Sequence, residues 1–235
     1  MLIGHFAPAL ALSRARPSLR LWQLFLATQL VDLDWALFIW LGVEHARIVP
    51  GFTRSNDLDL YDMPYTHSVV ATLVWSAGAF LIWRATRNVP TRTGDALVIA
   101  LAVASHFVLD LIVHVHDLPV LSAQGPKLGF GLWQHLELAL VLETTLFGGA
   151  ALFWWWPRRA TPRASRSGVW LLALTAFAAA SFFIPAPPSP RLLALTMAAT
   201  HAACAALAWW AEGSLAATPA RSEIERESER ARPAP

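Results

Sequence analysis

Charged residues are scarce in this sequence of 235 residues, of which only 14% are Asp, Glu, Lys or Arg. An ordinary soluble domain carries about 25%, whereas here 56% of the residues are hydrophobic and the mean hydropathy is +0.46. This composition excludes a disordered chain. A single cysteine, Cys204, excludes an intrachain disulfide scaffold. A net charge of +2 is too small for a protein that coats nucleic acid. An integral membrane protein is the class that is left, with membrane lipids as partners and no nucleic acid.

Several motifs of well-known enzyme classes are also missing from the sequence. It has no glycine-rich phosphate loop, no HExxH, no CxxC and no GxSxG. No serine, histidine and carboxylate follow one another with the turn chemistry of a catalytic triad. Any chemistry must therefore come from polar residues within or beside the apolar segments.

Six apolar runs are long enough to cross a bilayer, which takes about 17–25 residues. They cover residues 21–43, 66–83, 96–116, 132–156, 168–184 and 192–211. A seventh run, residues 2–12, is too short to span, and we interpret it as an N-terminal half-helix. The prediction is an all-α, polytopic membrane helix bundle. It forms a single domain over residues 1–212 and is followed by a flexible cytoplasmic tail over residues 213–235.

The basic residues fall mainly on one side of these spans. Fourteen of the 18 lie in loops or termini on the same side of the predicted membrane as Arg14. The other four, on the opposite side, are Arg47, Arg54, Lys127 and Arg191. Cytoplasmic loops of membrane proteins carry the excess of Lys and Arg. We therefore expect both termini in the cytoplasm, with the protein in a bacterial-type inner membrane.

Acids and histidines, in contrast, lie inside the predicted spans. Such side chains cost several kcal/mol each at membrane depth unless they are paired or solvated, so a cluster of them is a functional hypothesis. The sharpest pattern is His106, Asp110 and His114, because residues four apart stack on one helical face. His106 and Asp110 could bind one metal or orient one another. A hydrogen-bonded pair that only joins helices is an equally weighted alternative.

Two further elements lie at a similar depth in the outer half of the bilayer. Asp32 and Asp34 are two residues apart and point about 200° away from each other on a helix. One of them can therefore face a site while the other takes a supporting role, unless the helix unwinds locally. His67 follows Pro64, and we expect it in the first turn of a helix that Thr66 or Tyr65 caps.

The N-terminal half-helix gives His5 a route to the same depth. At 1.5 Å per residue, His5 lies about 13 Å and Asp32 about 18 Å from the basic turn that separates their helices. The two can then meet near the middle of the membrane. A short helix that lies flat on the cytoplasmic surface is the alternative.

The remaining ionisable residues receive different interpretations. Glu143 lies in the fourth span, and no Lys or Arg lies within the spans to pair with its carboxylate. It therefore needs a proton, a histidine or a metal. His201 is isolated on an apolar helix, and we interpret it as a satisfied packing residue. We expect His116 and Asp117 to be solvated near the outer interface.

Four short motifs of this sequence resemble those of a known family and occur in the same order. They are His5, Asp32-Leu33-Asp34, Thr66-His67-Ser68 and Ser105 to Asp110. That family is the inner-membrane-associated metal-dependent hydrolases, one member of which is described as LexA-binding. The resemblance covers the chain to about residue 120. Val31 stands where the family has proline, and residues 62–65 replace a His-Arg-Gly, so one ligand of the family pattern is absent. The chain is similar to a divergent branch, and the resemblance implies hydrolase chemistry.

The favoured hypothesis is a membrane-bound metal-dependent hydrolase of lipid or phosphoester substrates. Imidazole and carboxylate ligands suit Zn, with Mn or Fe as alternatives. The expected metal ligands are His5, Asp32, His67, His106 and Asp110, and Glu143 or Asp34 is the expected general base. A proton-coupled transporter or permease and a non-catalytic membrane scaffold stay open as alternatives.

Overall fold

The computed structural model describes residues 3–160 and 164–212, and these residues are mainly helical. The predicted tail over residues 213–235 lies outside them. The helices are α1 (Phe6–Ala15), α2 (Leu21–Thr28), α3 (Leu30–Leu41), α4 (Val69–Thr86), α5 (Arg92–Val113), α6 (Leu136–Trp155), α7 (Ala164–Ser181) and α8 (Pro190–Glu212). The prediction of a helical bundle with the composition of a membrane protein is confirmed.

Two short antiparallel hairpins interrupt the helical pattern in the connections. The first pairs β1 (His45–Ile48) with β2 (Leu58–Asp62), and the second pairs β3 (Leu118–Pro119) with β4 (Lys127–Leu128). The hairpins follow α3 and α5, so both lie at the same end of the bundle. The connection between α7 and α8 also lies at this end, which we call the hairpin end.

Four helices are long and apolar enough to cross a membrane by length and composition. They are Val69–Thr86, Arg92–Val113, Leu136–Arg158 and Pro190–Glu212. A fifth span exists if α2 and α3, which are bent by 50° at their junction, count as one. The prediction of six spans is therefore not confirmed. The difference lies at α7, whose first turn contains Ser165, Arg166 and Ser167 and shortens its apolar stretch.

The first predicted span is broken near its middle. Helix α2 ends at Thr28, Gln29 has a non-helical conformation, and α3 begins at Leu30. Helix α1 is only ten residues long, too short to cross a bilayer. Its residues Phe6 and Leu10 are fully buried rather than exposed on a surface. This matches the predicted half-helix and disagrees with a helix lying flat on the membrane.

The apolar interior forms two clusters with a polar layer between them. One cluster includes Val31, Val103 and Cys204. The other includes Trp35, Val113 and the partly buried Ala198. On each of three helices, a polar residue lies in sequence between members of the two clusters: Asp32 on α3, His106 on α5 and His201 on α8. The tertiary fold therefore collects these side chains at one depth of the bundle.

Candidate metal centre

Five predicted ligands from four parts of the chain meet in the polar layer. His5, Asp32, His67, His106 and Asp110 are all buried. The His106 Nε2 atom lies 3.0 Å from Asp110 Oδ2 and 3.5 Å from Asp32 Oδ1. The His67 Nε2 atom lies 3.3 Å from Asp32 Oδ1 and 3.7 Å from Asp110 Oδ2. Two imidazoles and two carboxylates thus alternate around one point.

These spacings fit a bound divalent cation. Ligand atoms at 2.0–2.1 Å from a tetrahedral zinc ion are about 3.3 Å apart, and the four distances lie between 3.0 and 3.7 Å. Donor atoms of His67, His106 and Asp110 all lie within 4.8 Å of one another, as do those of His5, Asp32 and His106. Buried His and Asp groups could therefore hold a metal ion here.

Hydrogen bonding also fits this interpretation. Buried polar atoms are nearly always hydrogen-bonded in folded proteins. Among the described residues, Asp32 Oδ2 and His106 Nε2 are buried and make no aligned hydrogen bond. Metal coordination would satisfy both atoms, because each offers a lone pair.

The break between α2 and α3 orients His106. Its Nδ1 atom lies 2.8 Å from the carbonyl oxygen of Thr28, the last residue of α2. Carbonyls at the end of a helix have no partner within the helix, so this one can accept the Nδ1–H of His106. The Nε2 lone pair is then directed at Asp32 and Asp110.

A chain of hydrogen bonds orients His67 in the same way. The Thr66 hydroxyl donates to Glu44 Oε2 at 2.7 Å and lies 2.8 Å from His67 Nδ1. Because its proton goes to Glu44, the hydroxyl oxygen accepts the Nδ1–H of His67. The Nε2 lone pair of His67 is then left for the cluster, an arrangement typical of metal-binding histidines.

Glu44 is the buried end of this chain and lies outside the predicted spans. Its Oε1 atom accepts the backbone N–H groups of Tyr65 and Thr66 at 2.7 and 3.0 Å. Burial raises the pKa of the Glu44 carboxyl, and the hydrogen bonds from Thr66 and Tyr65 offset only part of this rise. No motif of the sequence marks Glu44, because this residue lies beyond the first predicted span and 22 residues from its partner Thr66.

Thr66 is engaged in this chain and does not cap α4. The N-cap is Ser68, whose hydroxyl oxygen accepts the N–H of Ala71 at 2.9 Å. The prediction of a cap at Thr66 or Tyr65 is therefore wrong. His67 consequently precedes the helix rather than lying in its first turn.

Helix α1 brings His5 against the other side of the cluster. The His5 ring stacks on His106 with centroids 3.8 Å apart, and its Nε2 atom lies 3.0 Å from Asp110 Oδ1. The carboxylate of Glu143 accepts the backbone N–H groups of Ile3 and Gly4 at 2.7 and 3.1 Å. Glu143 therefore anchors the chain just before His5, in addition to lining the cavity described below.

Two further histidines join the cluster. His114 places Nε2 3.5 Å from Asp110 Oδ1, and its Nδ1 atom lies 2.9 Å from Asp117 Oδ1. Asp117 is buried, so our expectation that it is solvated is wrong, whereas His116 is exposed as expected. His201 is buried 3.9 Å from Asp32 Oδ2, and neither of its ring nitrogens is hydrogen-bonded within the described part of the chain. The interpretation of His201 as a satisfied packing residue is therefore wrong.

Asp34 is not brought to the cluster. It is only half-buried on α3. The reason is helical geometry. Helix α3 is continuous over both aspartates, so Asp32 and Asp34 face different directions. His135 is exposed at the start of α6 and is also outside the cluster.

A cavity of about 670 Å³ lies beside the cluster. Six of the buried polar residues line it: His5, Asp32, His67, Asp110, His114 and Glu143. Most of the other lining residues come from the loop between β1 and β2 and from α7, α8 and their connection. The cavity therefore joins the cluster to the hairpin end of the bundle.

No family model matches this chain. No curated protein and no solved structure matches it either, so the geometry of the site carries the functional argument alone. The resemblance to the metal-dependent hydrolases stays an expectation.

Proposed function

We propose that this protein is a membrane-bound metal-dependent hydrolase whose active site is the buried His/Asp cluster. The observation that carries the proposal is the convergence of two imidazole Nε2 atoms and two carboxylates, each imidazole held by its other nitrogen. His67, His106, Asp32 and Asp110 would hold a divalent ion, with Zn the best match and Mn or Fe alternatives. His5 is a further ligand in this proposal.

A metal in such a site supplies Lewis acidity toward an acyl or phosphoryl oxygen and toward water. Hydrolysis breaks the ester or phosphoester bond, adding the hydroxyl of water to the acyl or phosphoryl centre and a proton to the leaving alcohol. Lipid or phosphoester substrates suit the membrane setting.

His114 is the best-placed residue for moving the proton. It lines the cavity, its Nδ1 atom lies 2.9 Å from Asp117 Oδ1, and its Nε2 atom faces the cluster. In this proposal the neutral imidazole donates Nδ1–H to Asp117 and takes up the proton at Nε2. A carboxylate-oriented histidine is a common general base. This assignment replaces Asp34, which faces elsewhere, and leaves Glu143 as the residue that positions α1.

The proposed setting is a bacterial-type inner membrane with both termini in the cytoplasm. Nine of the 13 described basic residues lie in the turns that join α1 to α2, α4 to α5 and α6 to α7, or at the helix ends beside them. All three turns lie opposite the hairpin end. By the positive-inside rule, the hairpin end and the cavity then face outward.

Metal analysis of the detergent-purified protein tests the proposal. We expect about one or two Zn, Mn or Fe ions per chain, loss of most of this metal in His106→Ala and His67→Ala, and retention in His116→Ala, whose imidazole is exposed. Hydrolysis of bis(p-nitrophenyl) phosphate or p-nitrophenyl butyrate should follow the metal content. A wild-type protein without stoichiometric metal, or metal content unchanged in His106→Ala, contradicts the proposal.

One observation favours a proton-coupled transporter as the second candidate. The half-helix α1 and the broken pair α2 and α3 meet at the buried ionisable cluster, and discontinuous helices around an ion site are typical of transporters. Uptake into proteoliposomes that follows a pH gradient and needs no metal would support this alternative over the hydrolase.

A further inference from the structure

The mouth of the cavity has one cationic edge and one apolar edge. Arg54, in the loop between β1 and β2, lines the cavity and is exposed. Phe183 and Ile184, in the connection between α7 and α8, also line the cavity and are 70% and 58% exposed. A residue that both lines a cavity and is largely exposed lies at its opening.

Arg54 is positioned but unpaired. Within residues 3–160 and 164–212 it makes no ion pair and no side-chain hydrogen bond, and it is the one Lys or Arg lining the cavity. The other charged residue of its loop, Asp57, uses Oδ1 to accept the N–H of Gly51 at 2.8 Å. An unpaired guanidinium at a cavity mouth is suited to a carboxylate or phosphate, which its planar fork can bind at two points.

The loop that contains Arg54 is held in place by its own hydrogen bonds. The Thr53 hydroxyl oxygen accepts the N–H groups of Ser55 and Asn56 at 3.2 and 2.9 Å. The N–H of Ser55 also lies 3.1 Å from the carbonyl oxygen of Trp133, whose ring packs on His114 with centroids 4.2 Å apart. The position of Arg54 is thereby coupled to that of the His/Asp cluster.

The wall beyond the mouth is apolar. Phe177 of α7, Phe182 of the connection, and Leu193 and Met197 of α8 all line the cavity. The cavity volume of about 670 Å³ lies within the usual range for small-molecule sites, about 300–1,000 Å³. A free phosphate or other small anion would leave this apolar surface uncovered, whereas a hydrocarbon chain would cover it.

We propose that the cavity binds a membrane amphiphile with an anionic headgroup, in which Arg54 binds the headgroup and the wall formed by α7 and α8 holds the hydrocarbon chain. That this amphiphile is also the substrate rests on the proposed hydrolase function. Arg54 is then a specificity residue that selects phosphate- or carboxylate-bearing lipids of the outward-facing leaflet and presents them to the cluster.

Binding to protein treated with a chelator tests this proposal separately from the metal chemistry. Trp35 and Trp133 line the cavity, so their fluorescence reports binding. Three probes are titrated in detergent: dioleoyl phosphatidic acid, dioleoylglycerol, which lacks the phosphate, and glycerol 3-phosphate, which lacks the chains. We expect phosphatidic acid to bind at least about tenfold more tightly than either of the others, as a charge-assisted pair added to apolar burial predicts.

Three variants test whether Arg54 supplies the positive charge that binds the headgroup. Arg54→Ala should weaken binding of phosphatidic acid by about tenfold and leave dioleoylglycerol unchanged, and Arg54→Lys should recover part of the loss. The matched control is Arg191→Ala, since Arg191 is exposed at the same end of the bundle but does not line the cavity. Gel filtration and circular dichroism check that each variant is folded.

The outcomes separate the two proposals. Equal binding of phosphatidic acid and dioleoylglycerol, or an Arg54→Ala variant that binds phosphatidic acid normally, overturns the role of Arg54. Glycerol 3-phosphate binding as tightly as phosphatidic acid overturns the role of the apolar wall. Absence of metal in the untreated protein contradicts the hydrolase function. An Arg54-dependent preference for phosphatidic acid over dioleoylglycerol can still be measured in that case.

Discussion

Three histidines around Asp110 differ in the group that is hydrogen-bonded to the ring nitrogen facing away from the cluster. His67 is held by Thr66, His106 by the carbonyl of Thr28, and His114 by Asp117. Each of these bonds directs the other ring nitrogen inward, which is how proteins prepare imidazoles for a metal. The spacing of His106 and Asp110 could be interpreted from the sequence, because one helix decides it. The partners of the outward-facing nitrogens could not, since Thr28 lies on another helix and Thr66 and Asp117 lie in irregular segments.

Substituting Thr66 tests the importance of this orientation. In Thr66→Val the hydrogen-bonded link between Glu44 and His67 is lost, and we expect metal affinity to fall by about 10- to 100-fold. Thr66→Ser should restore most of the affinity, because it retains the hydroxyl. The measurement is competition for the metal against a chelator of known affinity.

The control for this prediction is Thr86→Val, near the far end of α4. Among the described residues, its hydroxyl donates only to carbonyls of its own helix, those of Ile82 and Trp83. Equal metal affinity in Thr66→Val and Thr86→Val would show that the link to Glu44 does not orient His67.

The elements that shape the site are the irregular ones. The break at Gln29 exposes the Thr28 carbonyl, and α1 begins inside the bundle, with its N-cap residue His5 stacked on His106. After α5, the N–H groups of Phe130 and Gly131 donate to the carbonyls of Leu111 and His114 at 2.8 and 2.7 Å. Sequence periodicity predicts where helices run but not where a long apolar segment breaks, because both halves of the broken span are equally apolar.

Gly129 makes the close approach of this loop to α5 feasible. Its φ of +142° is unfavourable for other residues, and a Cβ there would overlap the carbonyl oxygens of Val115 and His114. We expect Gly129→Ala to destabilise the protein by roughly 2 kcal/mol or more and to reduce metal binding through His114 and Trp133. Thermal unfolding followed by fluorescence measures the first effect.

The matched control is Gly78→Ala in the interior of α4, where an added Cβ meets nothing within 4 Å. Because alanine is the better helix former by about 1 kcal/mol, this variant should be neutral or more stable. A Gly129→Ala protein that unfolds at the wild-type temperature would contradict the close approach.

The proposed orientation of the whole molecule in the membrane depends on where its charged residues lie. Basic residues collect at the turns opposite the hairpin end, and the buried acids and histidines lie in the polar layer between the two apolar clusters. In the proposed orientation, the cavity opens on the side of the membrane opposite the cytoplasm.

Cysteine labelling in intact cells tests this orientation. The chain has a single cysteine, the buried Cys204, so Cys204→Ala provides a background without reactive thiols. In that background, Gln124→Cys at the hairpin end should react with a membrane-impermeant maleimide. Asn88→Cys, in the turn between α4 and α5, should react only after lysis. The reverse pattern would place the cavity on the cytoplasmic side and contradict the proposed topology.

By itself, the sequence determined the helical, membrane-type class and the placement of His106 and Asp110 on one helical face. It also predicted that Asp32 and His67 lie at a similar level, and the two side chains are in contact. Those features depend on composition and helical spacing, which are local properties of the chain. The tertiary structure alone decided that Asp32 and not Asp34 joins the cluster, that His201 belongs to it, and that Glu44, Thr66 and Asp117 orient its histidines. It also brought Arg54 to the mouth of the cavity. Contacts between residues far apart in sequence depend on how helices break and pack, and no local pattern records that.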